Sequence, residues 1–241
     1  MINYFLKIKK ISQIIQSKAL ISAAFKGVAA TTEHFAVLKN LKRINTVIDV
    51  GANKGQFTLA SRFIYPHSKI FSFEPLEKPA KIFETLFRND EKIILFRNAL
   101  GTKKTYAQMN ISKRDDSSSL LNIGKNQTLI FPGTDRLKSQ KIEVAPLSFY
   151  LKKNHLEDRA LMKIDVQGYE LEVLKGSSDL LQSIFYVYVE CSFVELYDEQ
   201  PLANDVINFL EKFSFILKGV YNSHYDKDGI VVQADFLFEK L

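Results

Sequence analysis

At 241 residues the chain has room for one α/β domain and a terminal segment, and too little for two full domains. Its 46% hydrophobic and 25% charged residues suit a globular protein, and no apolar run approaches the roughly 18 to 20 residues of a membrane span. The net charge of +6 is carried by residues 1–43, with eight Lys/Arg against the single acid Glu33; the 25 basic and 26 acidic residues that follow leave no basic groove for nucleic acid.

Residues 4–25 place Tyr4, Phe5, Ile8, Ile11 and Ile15 at helical spacing with lysines between them. The pattern predicts an amphipathic basic helix within an appendage over 1–42, able to lie against an anionic membrane surface or to pack on the domain. Gln13, Gln16 and Lys18 interrupt any signal-peptide core behind Lys7, Lys9 and Lys10. The lone Cys191 cannot form an internal disulfide and reads as a small buried hydrophobe, so the cytoplasm is the default compartment.

From Thr46 onward, short β-branched and aromatic runs alternate with helical stretches, which predicts a Rossmann-like α/β domain over 43–241 with a parallel sheet. Strands are expected near 46–50, 69–73, 93–97, 160–165 and 184–190. The stretch 101–159 is long for a connector and reads as a binding or lid element. Two late apolar runs, 213–220 and 230–238, flank a polar segment too short for a helix and predict an antiparallel hairpin.

The densest chemistry follows the first strand, where Asp49 precedes a turn with Gly51, Asn53 and Gly55 and then a helix. Glycines let a backbone approach a ligand at the carboxyl end of a strand. The spacing is G-x-N-x-G where a dinucleotide site carries G-x-G-x-x-G, and an acid here suits the cationic, phosphate-free end of S-adenosyl-L-methionine better than a pyrophosphate. The second strand ends at Glu74, about where such folds place a ribose-binding acid, one carboxylate serving both hydroxyls. Asn98 and Ala99 follow the third strand, where an adenine edge would lie. Lys163 and Asp165 alternate on a strand otherwise buried on both faces, so they need partners or a ligand.

The chain resembles the FkbM family of methyltransferases. The matching residues are Ile48-Asp49-Val50-Gly51-Ala52-Asn53 with Gly55, Phe73-Glu74-Pro75, Asn98-Ala99-Leu100-Gly101, Ser118-Ser119-Leu120, Lys163 to Gly168 with Glu170, and Ala234-Asp235 with Leu237-Phe238. The resemblance covers about 46–241 and implies a seven-stranded class I methyltransferase fold and O-methylation of sugars or secondary metabolites. Gln167 departs from it, standing where the family often carries a glutamate.

A hydroxyl acceptor must lose a proton, and a positioned base contributes about 10² to 10⁴-fold. Candidates are Asp165, Glu190 beyond the fifth strand, and His224 in the loop between the last two strands. Asp165 and Glu190 are also the residues that would hold magnesium if a metal lowered the acceptor's pKa. Each has a plainer reading: Asp165 paired with Lys163, Glu190 at a solvated strand end, His224 in an exposed loop. Ser117, Ser118 and Ser119 either touch ligand or form a solvated loop, and His34, His67 and His155 are expected at the surface. The expected partner is a small-molecule or carbohydrate acceptor. The competing functions are an NAD-type oxidoreductase, for which no Tyr-x-x-x-Lys pair is evident, and a non-catalytic adenosylmethionine-binding module.

Overall fold

The computed structural model describes Leu20, Ile21, Ala23 and residues 27–241. The helix expected over 4–25, and with it any membrane contact, falls almost wholly outside the described residues. Among those residues, no helix is long and apolar enough to cross a membrane.

In chain order the main elements are helix α1 (Phe35–Asn40), strand β1 (Thr46–Val50), α2 (Gln56–Ile64), β2 (Lys69–Phe73), α3 (Glu77–Phe87), β3 (Ile93–Phe96), β4 (Ala99–Leu100), β5 (Thr105–Ser112), β6 (Arg136–Ala145), β7 (Ala160–Ile164), α4 (Glu170–Gly176), β8 (Ile184–Ser192), α5 (Ala203–Glu211), β9 (Phe215–Tyr225) and β10 (Val231–Lys240). Seven strands form one sheet in the order β3-β2-β1-β7-β8-β10-β9. All pairings are parallel except those of β10, which is antiparallel to both neighbours. This is the class I methyltransferase architecture. The chain winds outward from β1 in one direction and from β7 in the other, so a crevice opens at the carboxyl ends of these two strands.

Burial explains the central strands. Every residue of β1 and β7 is buried, as expected of parallel strands covered on both faces. Ile48, Val50, Met162 and Ile164 face one cluster with Leu174 of α4 and Val206 of α5. Val47 and Leu161 face the other, with Phe57 and Ala60 of α2, Phe35 and Leu38 of α1, and also Leu20 and Ala23.

The terminal hairpin is longer than expected. Its strands continue through Tyr225, and the turn is closed by Asp226, whose N–H donates to Ile230 O at 2.9 Å and whose Oδ1 accepts from the N–H groups of Asp228 and Ile230. Asn222 and His224 therefore lie in a strand. Glu190 likewise belongs to β8, opposite Asp235 of β10. The segment 101–159 supplies β5 and β6, which form a small second sheet with β4 in the order β4-β6-β5, with β5 antiparallel to β6.

The turn after β1 depends on Gly51. Its φ is +81°, and a Cβ there would lie 1.9 Å from the carbonyl oxygen of Asp165, so the two central strand ends meet at a separation only glycine permits. Gly51→Ala is expected to destabilise by about 3 kcal/mol or more, adding the left-handed backbone cost to overpacking. Gly229→Ala, with φ +82° and open surroundings, should cost only about 1–2 kcal/mol. Urea unfolding of both variants checks the difference, and equal costs would show that the close approach does not matter.

Candidate functional site

A cavity of about 290 Å³ opens at the carboxyl edge of the sheet. Gly51, Asn53, Glu74, Asn98 and Ala99 line it on the β1 and β2 side, while Asp165, Glu190 and His224 line it toward β7, β8 and β9. One site thus gathers eight of the ten residues expected to bind cofactor or act in catalysis.

The glycine turn is held by the second strand. The N–H groups of Gly51 and Ala52 both donate to Phe73 O at 3.0 Å. Glu74, 5% exposed, accepts from Asn53 N–H at 2.9 Å and from Leu76 N–H at 2.7 Å, one bond to each carboxylate oxygen. Glu74 also lines the cavity, where a carboxylate can accept from the hydroxyls of a diol.

Asp49 and Gly55 were expected to touch cofactor and do not line the cavity. Asp49 is fully buried beneath α2 and accepts from Thr58 Oγ1 of that helix at 2.7 Å. Burial pushes its carboxyl above the ordinary value, with Lys163 and Thr58 pulling the other way. Gly55 has φ +92°, and a Cβ there would lie 2.5 Å from the Phe87 ring. It is the point where α2 packs on α3.

The acidic wall is organised by one cation and one amide. Lys163, 5% exposed, donates to Asp165 Oδ2 at 3.1 Å. The side-chain amide of Gln167 donates to Asp165 Oδ1 at 2.8 Å and to Glu190 Oε2 at 2.9 Å. Its oxygen accepts from the Tyr197 hydroxyl at 2.8 Å, which fixes the amide with its N–H groups toward the two acids. Gln233 donates to the other oxygen of Glu190 at 2.8 Å.

The two acids consequently differ. Burial alone would raise the Asp165 carboxyl, but Lys163 and the Gln167 donor hold it below its ordinary value. Burial pushes Glu190 well above its own, and Asp165, Asp235 and Glu170 add to the rise. The environment favours a charged Asp165 beside a neutral Glu190. Glu170 accepts from the N–H groups of Val166 and Gly168; burial raises it to about 7.

His34, expected at the surface, lines the cavity instead. Its Nδ1 lies 3.0 Å from the Tyr188 hydroxyl, 3.1 Å from Asn222 Nδ2 and 3.5 Å from Asp235 Oδ2. Asn222 and Tyr188 also donate to Asp235 at 2.7 and 3.0 Å. Lone residues from four segments make this cluster, and only Asp235 stood out in the sequence. His224 is exposed, with its ring edge-on to Phe131 at 6.1 Å.

The serine run is not a solvated loop. Ser117, Ser118 and Ser119 are all buried. Ser118 lines the cavity, and Ser119 Oγ donates to the backbone oxygen of Gln167 at 2.6 Å. Cys191 is buried and free.

Magnesium does not fit this donor set. The direction between Asp165 and Glu190 is taken by the Gln167 amide, and the other face of Asp165 by an ammonium, so a cation would displace donors already in place. Among the described residues, no group of three or more His, Cys, Asp or Glu is arranged to hold a metal ion.

The family described as the methyltransferase FkbM domain matches residues 49–217. The chain is similar to the 2-O-methyltransferase NoeI of Sinorhizobium fredii, at 24% identity over 76% of this chain and 78% of that protein. It is also similar to the methyltransferase sdnD of Sordaria araneosa, at 28% identity over 60% of this chain and 65% of that one. Methyltransferase 1 of Beauveria bassiana is 31% identical over 55% of this chain and 58% of its own length. The matches thus span less than two thirds of the last two proteins.

Lys163→Met would leave Asp49, Asp165 and Asp235 without their cation and is expected to cost about 3–5 kcal/mol at neutral pH. The folded Asp165 carboxyl lies below 3.8, so its stabilisation is present above the unfolded value and is lost as pH falls through the folded one. The gap between parent and variant should therefore shrink as the pH is lowered and be smallest below about 4. Urea unfolding from pH 7 downward measures it, and a pH-independent gap would mean that Lys163 acts through packing.

Proposed function

The chain belongs to the FkbM methyltransferase family and is an S-adenosylmethionine-dependent methyltransferase, and from this we propose that it methylates a hydroxyl oxygen of a sugar, glycan or related secondary metabolite. The observation that carries the proposal is that one cavity holds the glycine turn, the ribose-suited Glu74 and a carboxylate, Asp165, kept charged by Lys163 and Gln167. The similarity to a protein named as a 2-O-methyltransferase supports oxygen as the accepting atom. An acidic wall also favours a cationic cofactor over the pyrophosphate of NAD, in line with the family.

The donor set fits adenosylmethionine. Gly51 and Asn53 would face its amino-acid end, Glu74 its ribose hydroxyls, and Asn98 with Ala99 its adenine edge. When bound, it supplies an electrophilic methyl group on a sulfonium. Asp165 accepts a hydrogen bond from a hydroxyl of the acceptor next to the reacting one and so turns the reacting oxygen toward the cofactor side. His224, at the exposed margin, takes the proton that the reacting oxygen sheds as its new bond to carbon forms. Glu190, whose two oxygens accept from Gln167 and Gln233, shapes the acceptor side of the cavity. Holding the two reactants in register can contribute roughly 7–11 kcal/mol to an in-line displacement.

Asp165→Asn is expected to abolish transfer and leave adenosylmethionine affinity intact, while His224→Ala should slow transfer roughly 10² to 10⁴-fold. Methyl-labelled adenosylmethionine with a panel of sugars and glycans measures transfer in both variants, and calorimetric titration against adenosylmethionine and NAD measures affinity. A His224→Ala protein as fast as the parent would remove the histidine from the reaction. Preference for NAD would overturn the cofactor assignment.

A further inference from the structure

His34 immediately precedes α1 and lies before the family-matched region, while Asn222 on β9 lies beyond it. Both line the cavity together with Asp165 and Asp235. The His34 ring meets the rings of Phe57 and Tyr188 edge-on, with centroids 5.4 and 5.5 Å away, so its plane is fixed from two sides. A histidine that only pinned the N-terminal segment to the sheet would need no cavity surface, yet this side chain is 12% exposed.

Counting hydrogens places the proton on the ring. Tyr188 gives its single hydroxyl hydrogen to Asp235 Oδ2. Asn222 gives one of its two amide hydrogens to the same oxygen at 2.7 Å, and the other faces both the Tyr188 oxygen at 3.2 Å and His34 Nδ1 at 3.1 Å. Were that hydrogen to go to Nδ1, the Nδ1 lone pair would confront the Tyr188 oxygen at 3.0 Å and the Asp235 carboxyl at 3.5 Å with no hydrogen between them. With the proton on Nδ1, that nitrogen and Asn222 both donate to the Tyr188 oxygen, and every hydrogen of the cluster is used. A neutral imidazole protonated on Nδ1 carries its lone pair on Nε2.

We infer that His34 is a specificity-determining residue whose Nε2 accepts a hydrogen bond from a further hydroxyl of the methyl acceptor, distinct from the reacting one and from the one on Asp165. The inference rests on the carbohydrate acceptor proposed above and narrows it. The acceptor then carries at least three hydroxyls within one cavity, as a sugar ring does and a monohydroxy metabolite does not. His34 is close enough to Asp165 for its charged form to act on that carboxyl, so both anchors serve the same part of the cavity. Two anchors stop the ring from turning, and this decides which hydroxyl meets the methyl group.

The test is a cycle between one side chain and one hydroxyl. Methyl glycosides of glucose, galactose, mannose and xylose, with their monodeoxy derivatives, are offered to the full chain and to His34→Ala at pH 8, above the ordinary imidazole value of about 6.5. For the best glycoside, one monodeoxy derivative should lose roughly three- to tenfold in kcat/KM with the parent, and His34→Ala should lose a similar factor with the intact glycoside. With that derivative the substitution should cost less than about twofold, because the bond is already gone. If it costs as much as with the intact glycoside, or costs nothing with either, the contact is overturned. Should His34→Ala fail to fold, His34→Phe fills the ring site without a nitrogen and takes its place. Nitrogen-15 NMR of the parent, with the His34 signals identified by their absence from the variant, should show the hydrogen on Nδ1 alone, and one on Nε2 would also overturn the inference. A parent that methylates none of the glycosides would remove the carbohydrate acceptor and the role of His34 with it, whereas a failure confined to the cycle leaves that acceptor standing.

Discussion

The structure depends on a single buried ammonium. Lys163 stands on β7 directly across from Asp49 on β1 and two residues from Asp165, with its charge also felt by Asp235. Desolvation by itself would lower the Lys163 pKa, yet these carboxylates hold it above the ordinary value. The cation is thus kept in the centre of the sheet by acids that are themselves too buried to ionise together. Five acids, Asp49, Asp165, Glu170, Glu190 and Asp235, share this region with one lysine. Only Asp165 is lowered, because it alone receives both an ammonium and an amide hydrogen bond. The position of Lys163 therefore selects which acid is charged at the cavity wall.

The same geometry fixes where a ligand can approach. β1 and β7 are neighbours from which the chain winds in opposite directions, so no crossover covers their carboxyl ends. Gly51 is the contact between them, its backbone against that of Asp165. The glycine turn and the acidic wall are therefore adjacent by topology, the turn after β1 on one side and the turn after β7 on the other.

Much of this was legible in the sequence where the physics is local. The central parallel strands β1 and β7 are buried on both faces, and the parallel strands read as short apolar runs, so their limits fell within a few residues of the observed ones. The turn at Gly51 and the acid at Glu74 are marked by residue type at a strand end. β5 and β6 were not legible, because Thr105–Ser112 and Arg136–Ala145 form a half-exposed sheet rich in lysine and polar side chains, which lacks the apolar runs that revealed the other strands. Asp49 was assigned to the cofactor because it is an acid beside a glycine turn. In the strand its side chain lies beneath α2 against Thr58, and sequence alone cannot say which face an acid takes. His34 and Asn222 were missed for another reason: each is an ordinary polar residue locally, and only the packing of the N-terminal segment and the hairpin against β8 brings them together at Tyr188 and Asp235.

Gln167 shows how the insertion and the reaction site are joined. It has a left-handed backbone, φ +56°, in the turn that follows Asp165. Its backbone oxygen accepts from Ser119 and its side-chain oxygen from Tyr197, whose hydroxyl also reaches Ser117 O at 3.1 Å. The 117–119 run thus anchors the residue that bridges Asp165 and Glu190. A glutamate here would bring a further negative charge between two acids and no N–H in its ionised form, so Asp165 would lose a donor and gain a like-charged neighbour, both of which disfavour its charged form. The amide removes that conflict. Residues of the insertion that shape the cavity through Ser118 and Leu120 consequently share a support with the Asp165 carboxylate in the cavity wall, and a change in how the insertion packs would reach the charge on Asp165 through a single side chain.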